Sequence, residues 1–364
     1  MMTPNDDGTE MTARIRVLVV EDSLTVRKRL EQAINADSEL VCCGTAQDGV
    51  EAIALCQTLR PDVVSLDIVL PRMSGLSVTE FVMAHCPTPI LIVSAEANRG
   101  DAFKTYDALA AGAVDVLEKP IPESDERAWS AAYTARLKLL SRIPVVTRHA
   151  RRRSVAHHQA AAVVPGAVNP ASRPKAIAMG ASTGGPAALI EIFRGLRAQF
   201  PVPILLTVHL ARGFTTLFDQ WLSGETNQRV DFARDGEPLP PRGPDAKIFV
   251  APPDSHLVLA GGRLKLTYSA PRHSCIPSVD ELFDSVARDL GPLAMGCLLT
   301  GMGTDGASGL LAMRAAGAQT YAQDEASSVI FGMPRAAIEL SAACGVLPLG
   351  GFAPMLNRLI AAGE

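Results

Sequence analysis

The sequence predicts an α/β protein made of two doubly wound parallel-sheet domains joined by a flexible linker. Three observations predict it. Short, wholly apolar runs alternate with stretches of helical spacing from residue 16 onward and again from residue 175 onward, the pattern of strands buried on both faces by crossover helices. Between the two sets, residues 141–174 hold six arginines, four prolines and no acidic residue, a composition suited to an extended tether. The 364-residue length accommodates two domains, and 48% hydrophobic with 20% charged residues leaves material for two packed cores. The expected divisions are a disordered tail at 1–13, a first domain at 14–140, the linker at 141–174 and a second domain at 175–364.

Charge narrows the function classes. The net charge of −4 is uneven: residues 1–140 are acidic, the linker is basic and the remainder is near neutral. That distribution argues against nucleic acid as the main partner. No signal-peptide pattern opens the chain and no apolar run is long enough to span a bilayer, so a cytoplasmic protein without membrane insertion is expected. Seven cysteines without a C-x-x-C pair read as thiols in a reducing compartment, with Cys42, Cys43, Cys56 and Cys297 in apolar runs expected to be buried.

In the first domain, strands are expected at 17–20, 40–43, 63–66, 90–93 and 114–117, with helices near 24–36, 49–59, 78–84, 102–111 and 128–140. Sites in such sheets lie at the carboxyl ends of strands. Glu21 and Asp22 follow the first strand and Asp67 follows the third, so three carboxylates converge on one edge. Their mutual repulsion calls for a cation, and hard oxygen ligands suit Mg²⁺. Ser94 ends the fourth strand and Lys119 follows the fifth. The plain alternative is a set of unrelated polar loop residues.

Residues 15 to about 138 resemble a two-component receiver domain, with a flavodoxin-like fold. The resemblance implies that Asp67 accepts a phosphoryl group from a histidine kinase, that Glu21, Asp22 and Asp67 bind Mg²⁺, and that Ser94 and Lys119 act as the switch hydroxyl and the phosphoryl contact. One departure is Val116, three residues before the lysine, where this family often carries an aromatic switch.

In the linker, Arg151-Arg152-Arg153 reads as a solvated hinge, with docking on an acidic partner surface as the alternative, and His157-His158 lacks a third residue at ligand spacing. The second domain opens with an apolar strand running through Gly180-Ala181-Ser182-Thr183-Gly184-Gly185-Pro186 into a helix. The glycines permit a sharp turn and Pro186 suits the first helical turn, which puts Ser182 beside a helix N-terminus. Alone, G-x-S-x-G is also compatible with a plain strand–helix turn. A strand at 204–208 ends in His209, a helix carries Leu217, Phe218, Trp221 and Leu222, and residues 247–251 read as a strand. A hairpin is expected around Gly261-Gly262, and Ser278 with Glu281 reads as a capping box. A strand at 294–299, a loop through Asp305, a helix to about 316, a strand near 318–322 and helices from Pro334 and Pro354 complete the domain.

Ser182, His209 and Asp305 each follow a predicted parallel strand, and their types are those of a nucleophile, a general base and an orienting acid. Each has a plainer reading, as a turn serine, a strand-end histidine and a helix cap. His256 and His273 are competing bases. The chain order Ser, His, Asp differs from the Ser, Asp, His of α/β-hydrolases.

The second domain resembles the catalytic domain of the CheB chemoreceptor methylesterases. The matching pieces are Gly180 to Gly185, His209 with Gly213-Phe214-Thr215, Pro277-Ser278-Val279-Asp280, Leu299 to Gly303 with Asp305-Gly306, and Gln323-Asp324-Glu325 through Gly332-Met333-Pro334. The resemblance implies a Rossmann-like hydrolase domain with Ser182, His209 and Asp305 as catalytic residues and Thr183 and Met302 lining the site. It further implies a phosphorylation-activated esterase that hydrolyses glutamyl γ-methyl esters on a methylated chemoreceptor, releasing methanol, and deamidates receptor glutamines with no cofactor for hydrolysis. Departures are Thr304 where asparagine is usual, Ala211-Arg212 in place of a proline-rich turn, and Cys275-Ile276 where an arginine is common before Pro277. A different class of function is a response regulator whose output domain only binds a partner protein. DNA binding lacks a recognisable helix-turn-helix, and nucleotide binding lacks a lysine after the glycines.

Overall fold

The computed structural model describes residues 13–95, 99–120, 125–143 and 173–361. The expected tail, apart from residue 13, and residues 144–172 of the expected linker lie outside them. The first sheet holds β1 (Ile15–Val20), β2 (Leu40–Ala46), β3 (Val63–Leu66), β4 (Ile90–Ser94) and β5 (Asp115–Glu118), all parallel in the order β2-β1-β3-β4-β5. Helices α1 (Leu24–Ala36), α2 (Gly49–Leu59), α3 (Gly75–His85), α4 (Arg99–Ala111) and α5 (Glu126–Leu140) form its crossovers and flank. Local chemistry sets their ends: Asp48 and Asp125 accept backbone amides at the starts of α2 and α5, and Arg60 closes α2 with φ of 46°.

The second sheet contains β6 (Ala176–Ala181), β7 (Ile204–Val208), β8 (Val230–Phe232), β9 (Ile248–Val250), β12 (Ala294–Leu298), β13 (Gln319–Gln323) and β14 (Gly345–Leu347). Their order is β14-β13-β12-β6-β7-β9-β8, parallel throughout. A hairpin, β10 (His256–Ala260) with β11 (Arg263–Thr267), forms a separate pair. The helices are α6 (Gly185–Gly195), α7 (Phe218–Glu225), α8 (Val279–Leu290), α9 (Ala307–Ala315), α10 (Met333–Glu339) and α11 (Leu349–Ala361). The chain leaves β6 in one direction, to β7, and returns on the other side as β12. The crevice at the carboxyl ends of β6, β7 and β12 is therefore a topological switch point, where α/β sheets bind ligands.

Three readings need correction. β8 and β14 are three residues each, too short to show a period. Pro354 lies inside α11 rather than at its start. The apolar face of Phe352, Met355, Leu356 and Leu359, buried against α6, offsets the backbone hydrogen bond that proline removes. Cys56 and Cys297 are buried as expected, whereas Cys42 and Cys43 are only half-buried.

The two domains touch through α4. Tyr106, fully buried, packs its ring 5.7 Å from Phe218 and 5.1 Å from Trp221, centroid to centroid, and its hydroxyl donates to the carbonyl of Phe214. Trp221 Nε1 donates to Asp107 Oδ1 at 2.9 Å. Apolar area and two hydrogen bonds thus tie the receiver-like sheet to the segment that follows His209.

Candidate active site

All six residues of β6 are buried. A side chain at Gly180 would come within 2.3 Å of Val279 Cγ1, and Gly184 adopts φ of 76° at the start of α6 with Pro186 in its first turn. The turn is thereby forced, and Ser182 sits between strand and helix. Its amide donates to the Thr300 carbonyl at 3.0 Å, while the His209 amide donates to the Ala181 carbonyl at 3.0 Å. Backbone pairing on both sides of β6 therefore sets His209 and the loop after β12 against the serine. A Cβ at Gly301 would lie 2.7 Å from Ser182 Cβ, so only glycine permits that approach.

Asp305 is seven residues beyond β12, in a loop with Gly303 and Gly306 both at φ of 88°. The helix it caps is α8. Oδ1 accepts from Ser278 Oγ at 2.7 Å and from the Asp280 amide at 3.1 Å, and Oδ2 accepts from the Val279 amide at 2.7 Å. His209 Nε2 lies 3.0 Å from Oδ2. Burial pushes the Asp305 pKa up, yet the His209 hydrogen bond and charge together with Ser278 and Val279 outweigh it and hold the carboxylate ionised. Burial lowers the His209 pKa, but its contacts with Asp305 and Cys275 raise it to about 9.

With Nε2 turned to Asp305, Nδ1 is the ring nitrogen left for a proton from Ser182. The Ser182–His209 hydrogen bond is not formed, and apo sites often tighten only on substrate. Nδ1 instead lies 3.8 Å from Cys275 Sγ. The amides of Thr183, Gly184 and Met302 have no protein acceptor among the described residues. Met302 is 55% exposed at the mouth, and the Thr183 carbonyl accepts from Thr300 Oγ1 at 3.0 Å. The arrangement sets a hydroxyl-bearing turn, a carboxylate-paired histidine on the neighbouring strand end and free N–H groups at one mouth, groups of the types that acyl transfer uses.

The competing histidines have other partners. Buried His256 accepts the Ser278 amide at Nδ1 at 3.0 Å, and His273 Nε2 lies 2.9 Å from Asp280 Oδ2. The Ser278 hydroxyl accepts from the Glu281 amide at 3.4 Å, but Glu281 turns to Arg272, so only half of the capping box forms. Sequence reasoning missed the cradle of Ser278, Val279 and Asp280 around Asp305. The N-cap signature at Ser278 marked a helix start but not its distant anion.

At the first sheet, oxygens of Glu21, Asp22 and Asp67 lie within 4.8 Å of one another. Lys119 Nζ is 2.7 Å from Asp67 Oδ2 and 3.0 Å from Glu21 Oε1. Burial, with the charge of Asp67 adding to it, raises the Glu21 pKa to about 7 despite Lys119. Burial likewise raises Asp67. The Ser94 hydroxyl is buried without a hydrogen-bond partner, whereas Glu21 Oε2 lies 2.8 Å from Lys119 Nζ. Three converging carboxylates, two of them raised in pKa by burial, form an oxygen-only set that fits a hard divalent cation such as Mg²⁺.

A family model described as CheB methylesterase matches residues 177–356, and one described as response regulator receiver domain matches 17–128. The chain is 42% identical to a protein-glutamate methylesterase/protein-glutamine glutaminase of Nitrosospira multiformis, over 95% of this chain and 97% of that one. The chain belongs to the CheB methylesterase family. Other relatives bearing that name are 41% identical in Myxococcus xanthus, over 94% of this chain and 96% of the relative, and 42% identical in Pseudomonas aeruginosa, over the same shares. The chain pairs the CheB catalytic domain with a receiver, and membership in an enzyme family runs against a second domain that only binds a partner. No described helix is long and apolar enough to cross a membrane.

Proposed function

We propose that this CheB-family chain is a phosphorylation-activated protein-glutamate methylesterase acting on methylated chemoreceptors, and that it deamidates receptor glutamines by the same route. The Asp305–His209 pair beside Ser182 is the observation that carries the reading. Ser182 Oγ attacks the γ-ester carbonyl as His209 Nδ1 takes its proton. The N–H groups of Thr183 and Met302 receive the oxyanion. His209 returns the proton to the leaving methanol, and water then hydrolyses the glutamyl-serine ester with His209 again as base. A glutamine follows the same course and releases ammonia. Met302, exposed at the mouth, meets the receptor helix.

The regulatory half rests on the first sheet. Glu21, Asp22 and Asp67 would hold Mg²⁺, which screens charge during phosphoryl transfer from a histidine kinase to Asp67. Ser94 and Lys119 would bind the new phosphoryl oxygens, and the orphaned Ser94 hydroxyl suits that task. Val116 occupies the aromatic switch position, so we assign the relay to α4, whose Tyr106 and Asp107 hold Phe214 and Trp221. In the resting chain that contact braces the segment after His209 and narrows the mouth.

Methanol release with and without acetyl phosphate and Mg²⁺ tests both halves. The parent is expected to be stimulated, Asp67→Asn to keep its basal rate but lose stimulation, and Asp107→Ala to gain basal rate several-fold. An Asp107→Ala basal rate equal to that of the parent would remove the α4 contact from the regulation.

A further inference from the structure

Cys275 stands at the catalytic mouth although nothing in ester hydrolysis requires a thiol. It is half-buried, and its Sγ lies 3.8 Å from His209 Nδ1 and 3.4 Å from the His273 carbonyl. Ligand atoms of His209, Cys275 and Asp305 all lie within 4.8 Å of one another. We propose that His209 Nδ1 and Cys275 Sγ form a binding site for a thiophilic divalent cation of the Zn²⁺ or Cd²⁺ type, which shuts off the esterase. The inference rests on the role of His209 given above.

Two features argue for a cation between these atoms. Metal–sulfur and metal–nitrogen bonds of about 2.3 and 2.0–2.1 Å at a tetrahedral angle put the two ligand atoms about 3.6 Å apart. The observed 3.8 Å needs a shift of a few tenths of an ångström. Metal-binding imidazoles, moreover, usually donate their other N–H to a carboxylate that fixes tautomer and ring orientation. Asp305 already does this at Nε2, and its three donors from Ser278, Val279 and Asp280 hold it there. Asp305 is thus the orienting partner, and solvent completes the coordination on the open side.

Binding releases the thiol proton and forms metal–sulfur and metal–nitrogen bonds; no electron changes hands. It occupies the Nδ1 lone pair that must accept the Ser182 proton. Metal and catalysis therefore exclude each other, and the inhibition is reversed by a chelator. The acidic cluster at Asp67 is built of oxygens alone and favours harder ions, so thiolate ligation distinguishes the two sites.

The test uses the full chain carrying Ser182→Ala, so that binding is read without turnover. Titration with Co²⁺ and with Cd²⁺ is expected to produce a thiolate-to-metal charge-transfer band that Cys275→Ser abolishes and that replacement of the exposed thiol, Cys344→Ser, preserves. In the active chain, Cys275→Ser is expected to raise the Cd²⁺ concentration for half-inhibition of methanol release by about tenfold or more. A charge-transfer band that survives Cys275→Ser, or inhibition by Cd²⁺ at an unchanged concentration, overturns the site. If the band forms at Cys275 while methanol release is absent from every form, the esterase reading fails and the metal site stands. If the band forms but Cd²⁺ leaves release untouched, the inhibitory role is wrong.

Discussion

Replacing Ser182 with alanine is expected to lower methanol release from methylated receptor by a factor on the order of 10⁴ to 10⁶. In the proposed mechanism this hydroxyl, at the turn where β6, His209 and the loop after β12 meet, is the group that attacks the ester. Without it water must attack directly, and the amides of Thr183 and Met302 supply only the remaining stabilisation of charge. The substitution removes one half-exposed oxygen that makes no hydrogen bond within the protein, so folding stability is expected to change by about 0.5 kcal/mol or less. Loss of rate with an unchanged melting temperature is therefore the signature. A serine-reactive phosphonate should add its mass to the parent at Ser182 and leave Ser182→Ala unmodified. A rate within about tenfold of the parent would remove Ser182 from the chemistry.

How much of this was legible in the sequence follows from the range over which each signal acts. The five strands of the first sheet and the central strands of the second stand out because strands covered on both faces read as unbroken apolar runs. The acids at 21, 22 and 67 were legible for the same reason, since a residue directly after a buried strand has only one edge to face. Ser182 and His209 follow that rule. Asp305 conforms less closely: it lies seven residues past its strand, and its position depends on two left-handed glycines and on donors from α8. A pattern in one stretch of chain cannot report that an amide at 279 meets a carboxylate at 305. The edge strands β8 and β14 were invisible because their pairing comes from neighbours rather than from their own three residues. The contact of Tyr106 with Phe214 and Trp221 was likewise illegible, since an aromatic at helical spacing in α4 looks the same whether it faces its own sheet or another domain. Cys275-Ile276 was legible only as a departure before Pro277, where an arginine is common, and the 3.8 Å from its thiol to Nδ1 is a matter of tertiary structure.

Asp305→Asn is expected to lower turnover by about 10³ to 10⁴ while leaving receptor binding largely unchanged. The carboxylate accepts four hydrogen bonds, two at each oxygen, and an amide offers only one acceptor atom. With its nitrogen on the His209 side, the amide donates to Nε2, which forces the ring proton onto Nδ1 and removes the lone pair that Ser182 needs. With its nitrogen on the other side, it meets the Asp280 N–H, and a neutral oxygen replaces the charge that holds the imidazolium. Both outcomes weaken the base. The pH profile separates this from a general loss of structure. Asp305, together with Cys275, holds the His209 pKa at about 9 against burial, so the parent gains activity as pH rises toward that value. Without the charge, burial prevails and the rising limb of the residual activity moves to lower pH. Stability moves in step. A histidine whose folded pKa is raised contributes its full stabilisation below its ordinary value of 6.5 and loses it as pH climbs through about 9. The parent should thus lose more of its melting temperature across that interval than Asp305→Asn. Equal pH dependence of both rate and melting temperature in the two proteins would show that Asp305 is only a cap for α8.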